Sequence, residues 1–120
     1  AISPTPTALL AAMCASLPDW DKNEINKRIN EFETEYARTL HGGIEGVASD
    51  FVLASQDWNI TLNGINTETH LWYGTDDCNT PPTMTQYLVS QLPNNHTFIL
   101  PDEGHLALFV HWEEILKRLI

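Results

Sequence analysis

The sequence predicts an α/β fold in which two parallel strands with flanking helices follow a helical segment. Before residue 60 the apolar residues recur at helical spacing, and after it short runs of strand-forming residues alternate with helical patterns. Because a helical pattern separates the two strand-like runs, we expect the strands to be parallel, with their carboxyl ends at the same edge of one sheet. The chain therefore divides into a helical segment, 1–60, and a β-α-β-α part, 61–120.

The helical segment contains two apolar series, each spaced like one face of a helix. Pro18-Asp19 is a helix-start signal, and His41-Gly42-Gly43 predicts a tight reversal between the two series. The pattern predicts helices over most of residues 8–56. The first series is Ile25, Ile29, Phe32, Tyr36 and Leu40, and the second is Ile44, Val47, Ala48, Phe51 and Val52.

The β-α-β-α part begins with Thr69–Tyr73, a run of strand-forming residues that ends at Gly74. Pro81-Pro82 fits a first helical turn, where a missing N–H group costs least. A second strand-like run, His96–Leu100, precedes a pattern with apolar residues along one side of a final helix. We place strands near 69–73 and 97–100, helices near 82–92 and 109–119, and Trp72, Phe98 and Trp112 at core-like positions.

Composition limits the partners and the compartment. Sixteen acidic residues against six basic ones give a formal charge of −10, which is the wrong sign for binding a phosphate backbone, so we expect no nucleic-acid partner. The longest apolar run, Ala8–Leu17, is about half the length that crosses a bilayer, and we expect no membrane span. Cys14 and Cys78 are too few and too far apart for a disulfide framework or a zinc site. Because the sequence shows no disulfide framework, we expect a location in the reducing cytoplasm.

Two acids and a histidine follow the predicted strands. Asp76 and Asp77 come after the first strand, and His105 comes after the second. Ligands of open α/β sheets bind beyond the carboxyl ends of the strands, so these side chains are expected to meet. A carboxylate that is hydrogen-bonded to one imidazole nitrogen fixes the tautomer and leaves the other nitrogen as a base. The sequence therefore predicts an acid–base pair, with either acid as the partner of the histidine.

Other chemistry has less support. The nucleophile elbow Gly-x-Ser-x-Gly appears nowhere in these residues. We expect no metal at the two acids and the histidine, because hard-metal sites need more oxygen ligands than one loop provides, and we expect no cofactor. Cys78 has no basic neighbour and is interpreted as a loop thiol. The remaining histidines near the strands and in the last helix are interpreted as hydrogen-bonded structural residues: His70, His96 and His111.

Two stretches resemble the C-terminal end of an α/β-hydrolase, HLWYGTDDCNTPPTMTQYLVSQLP and HTFILPDEGHLALFVHWEEILKRL. The family's Gly-x-x-Asp before an x-Pro-Pro helix start matches Gly74 to Asp77, and its Glu-Gly-His matches Glu103 to His105. The resemblance implies Asp77 as the triad acid and His105 as the base. It covers about 43–120, and it makes 1–60 a helical cap segment.

The resemblance implies that this sequence is the C-terminal fragment of a hydrolase. The complete protein would hydrolyse an ester, amide or related bond of a small-molecule substrate through a covalent intermediate, and this chain alone would be inactive. Two parallel strands alone expose backbone groups and apolar faces, so we expect a complementary N-terminal segment or self-association. The alternative is a non-catalytic binding or interaction domain with the hydrolase shape.

Overall fold

The structure, a computed structural model, describes residues 5–39, 41 and 43–120 and has a mixed α/β architecture. Helices occupy most of the N-terminal half, and a two-stranded parallel sheet with flanking helices follows, as predicted. None of the helices in these ranges combines the length and the apolar composition that crossing a membrane requires. The elements are α1 (Pro6–Cys14), α2 (Asp19–Lys27), α3 (Ile29–Thr39), α4 (Glu45–Ala54), a 3-10 turn (Leu62–Gly64), β1 (Thr69–Gly74), α5 (Pro82–Gln91), β2 (Asn95–Leu100), α6 (Ala107–Val110) and α7 (Trp112–Lys117).

The chain forms two compact units. The first unit comprises the residues up to Leu17 together with Ile25–Ile60, and the second comprises Pro18–Glu24 together with Thr61–Ile120. The division therefore passes through α2, whose N-terminal part belongs with the sheet. The assignment of 1–60 as a hydrolase cap and 61–120 as a hydrolase core stays a prediction.

The first unit is helical. The Thr5 side chain caps α1 by accepting a hydrogen bond from the Ala8 N–H at 3.2 Å. α1 packs against α3, and Leu10 in α1 is buried. The first predicted series is divided at Arg28, whose N–H bonds to the carbonyl of Ile25 three residues earlier and so tightens the end of α2. Leu40 and Gly42, which the sequence placed in the first series and in the reversal, lie outside the described residues.

The second unit contains the sheet. β1 and β2 pair in parallel, with Thr69 opposite Asn95 and Gly74 opposite Leu100, and α5 forms the crossover between them. Trp72 and Phe98 face each other in this register and stack with ring centroids 4.3 Å apart. Both are half-buried. The parallel pairing brings the two loops that follow the strands to one edge of the sheet.

The prediction of one continuous final helix with Trp112 in the core is wrong. Two short helices, α6 and α7, meet at His111, whose backbone angles of φ −95° and ψ 11° depart from helical values. The His111 ring binds the Glu103 carboxylate, with 2.8 Å between Nε2 and Oε2, which ties the bend to the preceding loop. Trp112 is 54% exposed and is not a core residue, since the described residues cover less than half of it.

Candidate active site

Two loops follow the strands at their carboxyl ends, the acid loop (residues 75–81) after β1 and the histidine loop (residues 101–106) after β2. The N–H of Thr75 donates to the carbonyl of Leu100 at 3.0 Å, and the N–H of Asp76 donates to the carbonyl of Glu103 at 2.9 Å. In the reverse direction, the N–H of Asp102 donates to Oγ1 of Thr75 at 2.8 Å. The last two hydrogen bonds join the two loops directly, and the first joins the acid loop to the end of β2.

Asp77 and His105 meet between these loops. Nδ1 of His105 lies 3.0 Å from Oδ2 of Asp77. Asp77 is buried, at 7% exposure, whereas the side chain of His105 is 41% exposed. The other ring nitrogen, Nε2, has no hydrogen-bond partner among the described residues. When Nδ1–H donates to the carboxylate, the lone pair lies on Nε2, and that atom is available to accept a proton.

Two residues of the acid loop, Asn79 and Thr80, hold the Asp77 carboxylate in place just before α5 begins. Oδ1 accepts the N–H groups of Asn79 and Thr80, each at 2.8 Å, and Oδ2 accepts the Thr80 hydroxyl at 2.6 Å. Burial raises the pKa of Asp77, but the hydrogen bonds from Thr80 and His105 outweigh it, so that the pKa lies below its ordinary value. The carboxylate therefore stays ionised and can stabilise a protonated His105.

Asp76, the other acid in this loop, has a different environment. Its side chain is exposed and lies 3.5 Å from Oγ1 of Thr75, and it makes no described contact with His105. Of the two adjacent acids, the structure brings Asp77 to the histidine. That Asp77 and His105 act in catalysis stays a prediction.

Asp21, in α2, lies against the histidine loop and was not among the predicted site residues. Its side chain is fully buried. Oδ2 accepts the His105 N–H at 3.1 Å, and Oδ1 accepts the Leu106 N–H at 2.8 Å. A Cβ at Gly104 would overlap this carboxylate. Gly104 was therefore the sequence signal for this contact, because a glycine marks a position where another group can approach the backbone closely.

A cavity of about 200 Å³ adjoins the acid–histidine pair. Asp77, His105 and the apolar residues Trp72, Leu100 and Leu108 are among the residues that line it. Complete ligand pockets are usually about 300–1,000 Å³, so this cavity accommodates only part of a typical ligand.

The remaining histidines in this unit have acidic neighbours. His111 is hydrogen-bonded to Glu103, and Nε2 of His70 lies 2.9 Å from Oε1 of Glu68, as their interpretation as hydrogen-bonded residues predicts. His96 lies 3.6 Å from the same glutamate oxygen, which is ion-pair distance and longer than a hydrogen bond.

Comparison with protein-family models, with curated proteins and with solved structures finds no match to this chain.

Proposed function

We propose that this chain supplies the acid and the histidine of a nucleophile–His–Asp triad in an α/β-hydrolase. The observation that carries the proposal is the 3.0 Å contact between Asp77 and His105 at the carboxyl ends of two adjacent parallel strands. The two residues are 28 positions apart in the sequence, and the β-α-β crossover brings them to the same edge. Active sites of open α/β sheets lie at this edge.

The pair is suited to moving a proton during acyl transfer. Nε2 of His105 would take the proton of an attacking hydroxyl or thiol and then return it to the leaving group. The ionised Asp77 would hold Nδ1–H and stabilise the imidazolium between these two steps. The reaction is hydrolysis of an ester, amide or related bond through a covalent intermediate, and the attacking group comes from outside this sequence.

The unpaired strand edges and the exposed face of the sheet support the proposal that a complementary segment pairs with it in the complete protein. β1 pairs only with β2 among the described residues, so the outer edge of each strand carries unpaired backbone groups. Ile99 in β2 is 55% exposed, which leaves an apolar side chain for another element to cover. A strand added parallel to either edge would end beside the acid and histidine loops, where a nucleophile has to lie. We infer that residues 1–60 act as the cap of the same enzyme.

Hydrolysis of p-nitrophenyl acetate by the complete protein tests the proposal. Replacing His105 or Asp77 by alanine should lower kcat by roughly 10³-fold or more, because each substitution disables proton transfer at the nucleophile. Asp76→Ala is the matched control, because it removes the adjacent acid that does not contact the histidine, and it should cost much less. The 120 residues alone should show no turnover above a His105→Ala control.

Two outcomes would contradict the assignment. If Asp76→Ala lowers kcat more than Asp77→Ala, the triad acid is the neighbouring residue. If the complete protein neither turns over the ester nor reacts with a fluorophosphonate probe, and all three variants behave alike, the non-catalytic binding domain is the better account.

A further inference from the structure

A second cluster of ionisable side chains lies at the amino ends of the strands, at the opposite end of the sheet from the acid and histidine loops. His70 in β1 and His96 in β2 are direct partners in the parallel register, and Glu68 immediately precedes β1. Oε1 of Glu68 is 2.9 Å from Nε2 of His70 and 3.6 Å from Nε2 of His96. The three side chains each offer one ligand atom, and these atoms lie within 4.8 Å of one another.

These donors match the coordination chemistry of zinc. Two imidazole nitrogens and one carboxylate oxygen are a common three-ligand set for Zn²⁺, with a water in the fourth position. A tetrahedral ion with bonds of about 2.0–2.2 Å separates its ligand atoms by about 3.3–3.6 Å. The separations of Glu68 from His70 and from His96, 2.9 Å and 3.6 Å, lie close to this range, and all three ligand atoms lie within 4.8 Å of one another. Side-chain rotations that bring the two imidazole nitrogens to the same spacing would enclose an ion.

We propose that Glu68, His70 and His96 form a binding site for a divalent transition-metal ion of the zinc type. Glu68 and His96 are 61% and 55% exposed, so their side chains are free to adjust and the site is open to solvent. Mg²⁺ and Ca²⁺ prefer oxygen ligands, so neither ion suits a cluster with two imidazoles.

The environment of His70 bears on the strength of the site. Its Nδ1 is buried and has no hydrogen-bond partner among the described residues. When Nε2 binds a metal, the ring proton lies on Nδ1, where ligating histidines usually find an acceptor, and loss of that support typically weakens binding about 10–100-fold. We therefore expect micromolar affinity, weaker than that of dedicated structural zinc sites.

Zinc titration of the full-length protein, in competition with a chromophoric chelator, tests the site without any substrate. Wild-type protein should bind one Zn²⁺ and should not bind Mg²⁺. When Co²⁺ is added instead of zinc, it should give the visible absorption of tetrahedral Co²⁺. Binding should also raise the unfolding temperature, because the ion joins the beginnings of two strands that are distant in sequence. His96→Ala and Glu68→Gln change exposed side chains, and each should weaken Zn²⁺ binding by at least about tenfold.

Two controls locate the site. His41→Ala removes an exposed histidine in the other unit, and the double variant Asp77→Ala/His105→Ala removes the candidate active site. Both should bind Zn²⁺ like the wild type, and circular dichroism should show that every variant is folded. The proposal is overturned if wild-type protein shows no saturable binding at millimolar zinc. It is also overturned if His96→Ala and Glu68→Gln both retain wild-type affinity, or if the Asp77→Ala/His105→Ala variant loses binding.

Discussion

Replacing Asp21 by alanine should destabilise the unit that contains the sheet and release the histidine loop. The fully buried carboxylate accepts the backbone N–H groups of His105 and Leu106 at 3.1 Å and 2.8 Å. A hydrogen bond to a charged group contributes about 1.5–3 kcal/mol, and alanine leaves both donors without a partner. The Leu106 bond is buried whereas the His105 bond is only partly buried. We therefore expect a loss in the lower part of the summed range, about 3–4 kcal/mol.

Urea unfolding followed by circular dichroism measures this loss, and Asp19→Ala is the matched control. Asp19 shares the first turn of α2 with Asp21, so both substitutions remove a similar helix-dipole interaction. The Asp19 side chain is 96% exposed, and its 3.7 Å ion pair with Lys22 is worth less than about 1 kcal/mol. If the free energies of unfolding of the two variants agree within about 0.5 kcal/mol, the two backbone hydrogen bonds do not stabilise the loop and the reasoning is wrong.

Three further predictions concern the same loops. Thr80→Val removes the hydroxyl that donates to Asp77 and should lower kcat of the complete protein roughly tenfold. Thr80→Ser keeps the hydroxyl and should retain most of the activity. Equal activity of Thr80→Val and wild type would exclude this role. The folded-state pKa of Asp77 lies below its unfolded value of about 3.9, so its contribution to stability is present above that pH and is lost as the pH falls through the folded pKa. The urea midpoints of wild type and Asp77→Asn should therefore converge from about pH 4 downward, and a gap that is constant with pH would refute this. Gly74→Ala places a Cβ against the Glu103 carbonyl and should lower the free energy of unfolding by about 1–3 kcal/mol, measured by thermal unfolding. A Cβ at Gly46 has no atom within 4 Å, so Gly46→Ala should be neutral or stabilising. Equal melting temperatures of the two variants would contradict the steric argument.

The strands, their parallel pairing and the meeting of Asp77 with His105 could be predicted because the signals for them are local. A run of strand formers ends at Gly74, a proline pair starts the crossover helix, and the handedness and length of such crossovers restrict the pairing of the strands. Once the strands are parallel, residues that follow their carboxyl ends have to lie close together. The choice between Asp76 and Asp77 came from the family resemblance and not from these local signals.

The contacts of Asp21 and the course of the last helix could not be predicted in the same way. Asp21 contacts His105 across 84 positions of sequence, and an acid near the start of a helix is usually a solvated residue that favours the helix dipole. The bend at His111 has a similar origin, since its partner Glu103 lies in another element. Helical periodicity reports which side chains share a face, but it does not report whether another element covers that face, and Trp112 is exposed for this reason.

The hydrogen bonds between the acid loop and the histidine loop make local opening of the site a cooperative event. The hydrogen bonds made by Thr75, Asp76 and Asp102 hold together the segments that carry Asp77 and His105, so separating these segments breaks all three. The amide hydrogens of these three residues should accordingly exchange with solvent at a common rate, as members of one opening unit. If His105 accepts a proton as proposed, these hydrogen bonds hold it and Asp77 in place beforehand, so that little free energy of reorganisation has to be supplied.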